Sequence, residues 1–326
     1  MVRKFVAAVG FFLTAAVLSL CLGAARVTPW ALYQALVAGP RDTAGFIFWY
    51  VRLPRTAGCL LAGAALAVSG AVIQNVLNNK LASPGIIGVN AGAGLAVTLC
   101  CAGGLLSGWA IAGSAFLGAM ITVLLIVFAA EKTGASRTGV ILSGVAVNAF
   151  LNALSEAVTT LIPEVGMMTA DFRVGGFSSV SHLRLAPAAV LILSSLLALY
   201  TLRNELDVLA LGEETARSLG MRVSGTRTLL LMLAAMLSGS AVSFCGLLGF
   251  VGLIVPHSCR KIVGSESRVL LPMCALGGAG FVTLCDLAAR MLFAPYELAV
   301  GILLSVLGGP FFLLLLMKQK GGRGHG

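Results

Sequence analysis

Residues 81–130 form a run of 50 positions without a single Asp, Glu, Lys or Arg. A helix of about 20 apolar residues crosses the hydrocarbon core of a bilayer, so this run is long enough for two crossings. Similar uncharged windows recur along the chain at 5–25, 56–79, 138–155, 185–202, 228–259, 269–285 and 298–317. Soluble domains carry about 25% charged residues, whereas this chain carries 10% and is 59% apolar. The sequence therefore predicts an all-α, polytopic membrane protein whose single domain spans residues 1–326.

The windows predict about ten transmembrane helices, although two windows are too long for one crossing. We expect the 81–130 run to hold two spans hinged near residues 103–108. The 228–259 run holds one span to about Cys245 and a remainder that we interpret as a short tilted helix or a half-helix buried in protein. The first window could pass for a signal peptide, but it is longer than a signal core of about 7–15 residues, so we interpret it as the first span. The 40 glycines suit close packing of helices in lipid.

The basic residues predict the orientation of the chain. Placing both termini in the cytoplasm puts fifteen of the 22 Lys and Arg residues inside and seven outside, as the positive-inside rule requires. The segment around residues 209–225 is then cytoplasmic. The polar, glycine-containing tail at about 318–326 is expected to be disordered.

One predicted cytoplasmic segment concentrates charge that the neighbouring spans lack, LALGEETARSLGMRVSG at 209–225. Glu213 and Glu214 fall in the first turn of a short helix, Arg217 lies four residues after Glu213, and Gly220 is a natural stop. Leu211, Thr215 and Leu219 fall at i, i+4 and i+8 and give the helix one semi-apolar face. The segment is either a solvated connector or a docking element, and composition alone does not choose between them. A mere connector needs only about 2–8 residues.

Four stretches carry a longer pattern: RLPRTAGCLLAGAALAVSGAVIQNVLNNKLASPGIIGVNAGAG (52–94), LDVLALGEETARSLGMRV (206–223), GFVGLIVPHSCRKIVGSESRVLLP (249–272) and YELAVGILLSVLGGPFFLLLL (296–316). Together they resemble the FecCD-type permease subunits of ABC importers for iron-siderophores, haem and vitamin B12. The resemblance implies the type II ABC importer permease fold, with about ten spans per subunit. It also implies a bacterial inner-membrane location and three kinds of protein partner: a second permease copy or close paralogue, two ATP-binding subunits, and an extracytoplasmic substrate-binding protein.

If the resemblance holds, residues at about 209–220 form the coupling helix, which sits in a cleft of the ATP-binding subunit. The coupling residues that it implies are Leu211, Gly212, Glu213, Arg217, Gly220 and His257. His257 follows Pro256 at the predicted inner end of the short eighth element. No GxxxxGK[ST] motif occurs, so ATP must be hydrolysed by a separate subunit and this chain is not expected to be an enzyme. No Cys or His spacing suits a metal site, and no cofactor is expected.

Three arginines lie at the predicted outer ends of spans: Arg52, Arg55 and Arg290. An interfacial arginine can simply snorkel to water. By resemblance, however, these three match outer arginines that form salt bridges with glutamates of the substrate-binding protein. Asp286 lies four residues before Arg290, and we interpret this acid as a structural partner of that arginine.

A polar stripe runs along the predicted fifth span, because Asn148, Asn152, Ser155 and Thr159 recur at i, i+4, i+7 and i+11. Such residues can hold helices together. The resemblance favours the alternative, in which the stripe lines the translocation path. Glu156 lies beside the stripe, and we expect it to face the dimer cavity or the outer end, because a charge in mid-membrane costs about 2.5–3.5 kcal/mol.

The function expected is import by alternating access of an iron-siderophore-like chelate, with haem or vitamin B12 as the alternative cargo. A secondary transporter or channel that works without ATP would need paired titratable residues in mid-membrane, for which only Glu156 and Asp286 are candidates. A structural scaffold would not call for the polar stripe. The net charge of +10 does not indicate a nucleic acid partner, since basic residues at span ends are a common feature of membrane topology.

Overall fold

The computed structural model describes residues 2–23, 29–40, 42–132, 137–294 and 296–321. Within these ranges the regular structure is helical throughout, as predicted. One π-helical turn, Ile47–Arg52, lies between the α-helices that end at Phe46 and begin at Leu53. The α-helices are α1 Val2–Cys21, α2 Pro29–Ala38, α3 Thr43–Phe46, α4 Leu53–Val76, α5 Val89–Ala102, α6 Gly108–Lys132, α7 Arg137–Leu161, α8 Pro163–Val174, α9 His182–Thr201, α10 Arg203–Ala210, α11 Glu213–Ser218, α12 Val223–Cys245, α13 Val251–Val263, α14 Ser267–Met291 and α15 Val300–Gly321.

Seven helices in the described part of the chain are long and apolar enough to cross a membrane. They are α1, the continuous stretch Thr43–Val76, α6, α7, α9, α12 and α14. The apolar stretches of α5 and α15 are shorter, and α13 has only 13 residues. The structure therefore confirms a polytopic helical protein, whereas the count of ten crossings stays a prediction.

The predicted hinge in the 81–130 run is confirmed, since α5 ends at Ala102 and α6 begins at Gly108. The first of the two helices is much shorter than a full crossing, with 14 residues. It begins late because residues 77–88 form turns that include Pro84 and the left-handed residues Asn78 (φ 47°) and Gly88 (φ 94°). The positive φ angles end the α-helical path here, and Pro84 adds a residue that cannot donate a helical hydrogen bond.

The predicted eighth element is displaced along the chain. Residues 246–250 are not helical, because Gly246 and Phe250 both have positive φ. Helix α13 begins at Val251 and continues to Val263, so Pro256 lies inside it rather than at its end. The prediction that placed Pro256 and His257 at an inner helix end was therefore wrong.

Several helices fall outside the predicted spans. Helices α2, α8 and α10 are only 10, 12 and 8 residues long, too short to register as uncharged windows. At the carboxyl end, α15 continues to Gly321, so residues 318–321 of the tail expected to be disordered are helical. The remaining tail residues, 322–326, lie outside the described ranges.

Glycines bring the central helices into close contact, as the composition predicts. A Cβ added at Gly63 of α4 would overlap the backbone carbonyl of Gly278 in α14, and one added at Gly70 would overlap Gly252 of α13. Small residues allow such backbone approach where lipid supplies no hydrophobic drive between helices. Helices α4, α12, α13 and α14 consequently form the buried centre of the chain, and α7 lies at its periphery.

Contacts between distant segments define two ends of the bundle. At the end that carries α11, which we call the α11 end, the backbone N–H of Ser267 donates to both carboxylate oxygens of Asp207, at 3.0 and 3.2 Å. At the opposite end, which we call the far end, Leu247 N–H donates to the carbonyl of Phe172 at 2.9 Å. Hydrogen bonds thus join α10 to α14 at the α11 end, and the α12–α13 connection to α8 at the far end.

Candidate coupling and translocation site

The short helix predicted between Gly212 and Gly220 is present as α11, Glu213–Ser218. Both flanking glycines have positive φ, 120° at Gly212 and 80° at Gly220. Such angles disfavour any residue with a Cβ, so glycine sets where the helix starts and stops. The N–H of Gly220 donates to the carbonyl of Arg217 at 2.9 Å and closes the last turn.

Glu213 anchors α11 to the neighbouring helix. Its Oε1 lies 3.2 Å from Nη1 of Arg227, a buried residue of α12, and its Oε2 lies 3.6 Å from Nη2 of Arg217. Arg227 could not be recognised as this partner from the sequence, because the pairing spans 14 residues and depends on how α11 folds back on α12. Arg217 keeps 68% of its side chain exposed and remains available to a partner.

The apolar side chains of this segment divide into buried and exposed positions. Ala216 is fully buried and fixes α11 against the bundle, whereas Leu211 and Leu219 on either side of it are exposed. Together with the exposed Arg217 and Gly220 they form one exposed surface at the α11 end. Exposed leucines beside an exposed charged side chain are typical of a protein contact.

A polar network ties α10 to the central helices behind α11. Besides its bonds with Asp207, Ser267 accepts a hydrogen bond from Asn75 of α4 at 3.4 Å. The guanidinium of Arg260 in α13 donates to Oδ1 of Asn75 at 2.8 Å and also to the side chain of Gln74. A displacement of α10 would therefore be transmitted through these hydrogen bonds to α4, α13 and α14.

His257 lies within α13, next to this network in sequence but facing α15. Its ring is 5.8 Å from the ring of Phe311 in an edge-to-face arrangement. This contact joins α13 to α15, as packed aromatic pairs commonly do. The coupling role that the resemblance implies for His257 remains a prediction, and its expected position at a helix end is corrected.

At the far end, the three predicted docking arginines are buried inside the chain. Arg52, Arg55 and Arg290 are 3%, 7% and 4% exposed. Arg55 pairs with Asp286 through Nε and Nη2, with its closest contacts at 3.0 Å, and places Nη1 2.7 Å from Glu297. In this structure its guanidinium is thus already occupied by carboxylates of the same chain, which argues against a free docking surface.

The other two arginines have internal partners as well. Arg290 Nε lies 3.0 Å from Asp286 Oδ2, which confirms the predicted pairing of these residues, and Nη2 donates to Ser19 at 2.9 Å. Arg52 donates to the carbonyls at the end of α1, at 2.8 Å for Leu20 and 2.7 Å for Cys21. Neither arginine snorkels to water. The docking role that the resemblance implies stays a prediction, but in this structure Asp286 and the end of α1 hold the three guanidinium groups inside the chain.

The polar stripe of α7 divides between two roles. Asn148 donates to the carbonyls of Gly85 and Ile86, at 2.8 and 3.2 Å, and so holds α7 against the turn before α5. Ser155 is buried and bonded to Thr98 of α5 at 2.9 Å. These two residues therefore hold α7 against its neighbours, which was the alternative to lining the translocation path.

The rest of the stripe behaves differently. Asn152 is exposed, Thr159 is half-buried, and Glu156 is exposed close to the end of α7. Only 17% of the apolar window of α7 is buried inside this chain. An extensive exposed face that mixes Asn and Glu with apolar residues suits a second subunit or a hydrated path better than lipid alone.

A cavity of about 470 Å³ opens at the far end, where α8, α12 and the start of α15 meet. Its lining includes the basic residues Arg55 and Arg184, the acidic residues Asp171 and Glu297, and the apolar Phe244. Because both signs of charge are present, the lining favours neither a cation nor an anion.

The amino-acid sequence matches known proteins over almost its whole length. A family model, the FecCD transport family, matches residues 11–318. The vitamin B12 import system permease protein BtuC of Escherichia coli O9:H4 (strain HS) is 37% identical over 313 residues, which cover 94% of this chain and 93% of that protein. The corresponding BtuC of Shigella sonnei (strain Ss046) is 37% identical over 311 residues, or 94% and 92% of the two chains.

Solved structures give the same fold. An inward-facing structure of a transporter assigned to the metal-chelate type of ABC transporter superposes with a TM-score of 0.87 at 29% identity, covering 98% of this chain and all of that one. The PsaBC complex of Streptococcus pneumoniae with a Fab has a TM-score of 0.56 at 18% identity, covering 79% and 89% of the chains, and supports the fold alone.

A polytopic helical bundle with a short, anchored α11 is the architecture of a type II ABC importer permease, and the TM-score of 0.87 supports this class. The match to the family model and the 37% identity to BtuC identify the family within this class. The chain belongs to the FecCD transport family and is a multi-pass permease subunit of an ABC importer.

Proposed function

We propose that two copies of this chain form the membrane path of an importer for a preformed metal chelate. Two ATP-binding subunits attach at the α11 end, and an extracytoplasmic substrate-binding protein delivers the chelate at the far end. The α11 end is therefore cytoplasmic, together with both termini. The observation that carries the proposal is the near full-length match to the family, joined to the exposed surface of α11.

Coupling in this proposal proceeds through α11. Leu211, Leu219 and Arg217 contact the ATP-binding subunit, while Glu213 and Ala216 hold the segment to the bundle. A push on α11 is passed to α12 through Arg227. The sequence lacks a GxxxxGK[ST] motif, and in this proposal ATP is hydrolysed by the partner subunit.

This coupling can be tested by reversing one exposed charge. In the assembled transporter, Arg217→Glu should reduce ATP-dependent uptake at least tenfold, because the exposed guanidinium would be replaced by the opposite charge at a partner surface. Arg222→Glu is the matched control, since Arg222 is also exposed but lies beyond the α11 turn. Equal losses in both variants would contradict the assignment of the α11 surface.

The path in this proposal runs along the exposed side of α7, between two copies of the chain. Asn152→Trp should obstruct it and lower uptake while leaving assembly with the ATP-binding subunits intact. Leu154→Trp is the comparison, because Leu154 is also exposed but points about 200° away from Asn152, so the two variants show which exposed side of α7 borders the path. Uptake that is unaffected by Asn152→Trp would argue against this path.

The proposed cargo is an iron-siderophore-like chelate. Cobalamin is a second candidate, favoured by the 37% identity to vitamin B12 import permeases. Vesicles that contain the transporter and its binding protein should accumulate one of three labelled chelates: ferric siderophore, haem or cobalamin. Accumulation should require ATP on the side of the membrane that carries the ATP-binding subunits. Flux that persists after ATP is removed would refute the importer proposal itself, whereas preference for one chelate decides the cargo.

A further inference from the structure

A groove at the α11 end lies outside the coupling and translocation machinery. It has a volume of about 370 Å³ and is formed by the start of α1, the last turn of α9 and the start of α14. Its lining is mostly apolar and includes Phe5, Tyr200, Val263, Val269 and Pro272. A groove of this kind, open between transmembrane helices, is suited to a hydrocarbon chain.

One charged residue, Arg268, lines the same groove. Its side chain is exposed at the first turn of α14. Arg203 adds a second cation, because its guanidinium carbon lies 4.7 Å from the centre of the Tyr200 ring, and Tyr200 is part of the lining. One guanidinium group thus lies in the lining of the groove and a second lies against a lining residue, an arrangement that matches a ligand with one anionic end and one apolar end.

Two lysines extend this basic border. Lys4 of α1 donates to the carbonyl of Ile262 at 2.6 Å and thereby holds α1 against the end of α13. Lys261 is exposed one residue before Ile262. Among the described residues, Arg268 is the one charged residue of the lining, and around it the basic residues Arg203, Lys4 and Lys261 outnumber the nearby acids Glu205 and Glu266. The local surface therefore favours an anion.

We propose that this groove binds an anionic phospholipid of the surrounding bilayer. The acyl chain lies along the apolar lining, and the headgroup phosphate lies at Arg268 and Arg203. Basic pockets between transmembrane helices are known to recognise anionic headgroups, and each basic residue at such a surface strengthens binding about fivefold. Because Lys4 bridges α1 to α13, the bound lipid would brace the peripheral α1 against the central helices.

The experiment is native mass spectrometry of the assembled transporter, titrated with dioleoyl phosphatidylglycerol or dioleoyl phosphatidylcholine. We expect phosphatidylglycerol to be retained more tightly. Arg268→Gln should weaken its binding about fivefold, the effect of one basic residue, and Arg268→Lys should restore most of it. Arg222→Gln, which removes an exposed arginine of the same end away from the groove, should leave binding unchanged.

Three results would overturn the proposal. Equal retention of the two lipids would show that the groove does not select charge. Equal weakening by Arg268→Gln and Arg222→Gln would indicate a general effect of net charge rather than a site. Displacement of phosphatidylglycerol by inorganic phosphate at constant ionic strength would assign a small-anion site instead of a lipid site.

Discussion

The buried carboxylate of Asp286 offers the sharpest test of how the far end is held together. Its side chain is 1% exposed and compensates two guanidinium groups, those of Arg55 and Arg290. In Asp286→Asn, Arg55 retains Glu297 at 2.7 Å, but Arg290 loses its carboxylate partner. Removing one member of a buried ion pair destabilises a protein by about 3–5 kcal/mol. Because only one of the two arginines loses its compensation, we expect a value near the lower limit, about 3 kcal/mol.

The assay is denaturant unfolding of the purified permease in mixed micelles. Glu164→Gln is the matched control, because Glu164 is an exposed acid of α8 and its loss should change stability by less than about 0.5 kcal/mol. The double variant Asp286→Asn/Arg290→Gln should recover part of the loss, since it also removes the uncompensated charge. A loss below about 1 kcal/mol in Asp286→Asn, or strictly additive losses in the double variant, would refute this account.

Three further predictions concern packing and coupling. Gly63→Leu should destabilise the chain by about 1–3 kcal/mol in the same assay, because its side chain would collide with Gly278; Gly10→Leu, in open space, should not. Asp207→Ala should cost about 1 kcal/mol by removing the acceptor for the first N–H of α14, and Asp207→Asn should recover most of it. Gly220→Val should strain the turn by about 1–2 kcal/mol and lower the uptake obtained per ATP hydrolysed, measured in vesicles.

The sequence predicted those features that depend on local patterns. The helix between Gly212 and Gly220 was predictable because glycines at its two ends and charges at i and i+4 are local signals. The pairing of Asp286 with Arg290 was predictable for the same reason, since one helical turn separates them. The break between α5 and α6 likewise follows from a short glycine-containing stretch.

Features that depend on tertiary contacts were missed or misjudged. Arg55 was expected at a docking surface, but a residue 231 positions away in sequence, Asp286, binds it inside the protein. Asn148 belongs to a stripe on α7, and periodicity could not reveal that its amide binds the carbonyls of a turn before α5. Periodicity identifies which residues share a face, whereas the partner of that face is set by packing.

The anchoring of α10 and α11 suggests which part of the molecule moves as a unit. Glu213 joins α11 to α12 through Arg227, and Asp207 joins α10 to α14 through the backbone of Ser267. Helices α12 and α14 both pack closely on α4, where Gly63 lets α14 approach the backbone. In contrast, α7 is largely exposed and has no such bond to α11 among the described residues. A force applied at α11 therefore acts first on the glycine-packed central helices. Because α7 is largely exposed, we expect α7 to be the helix that the central helices can move against with the least loss of packing.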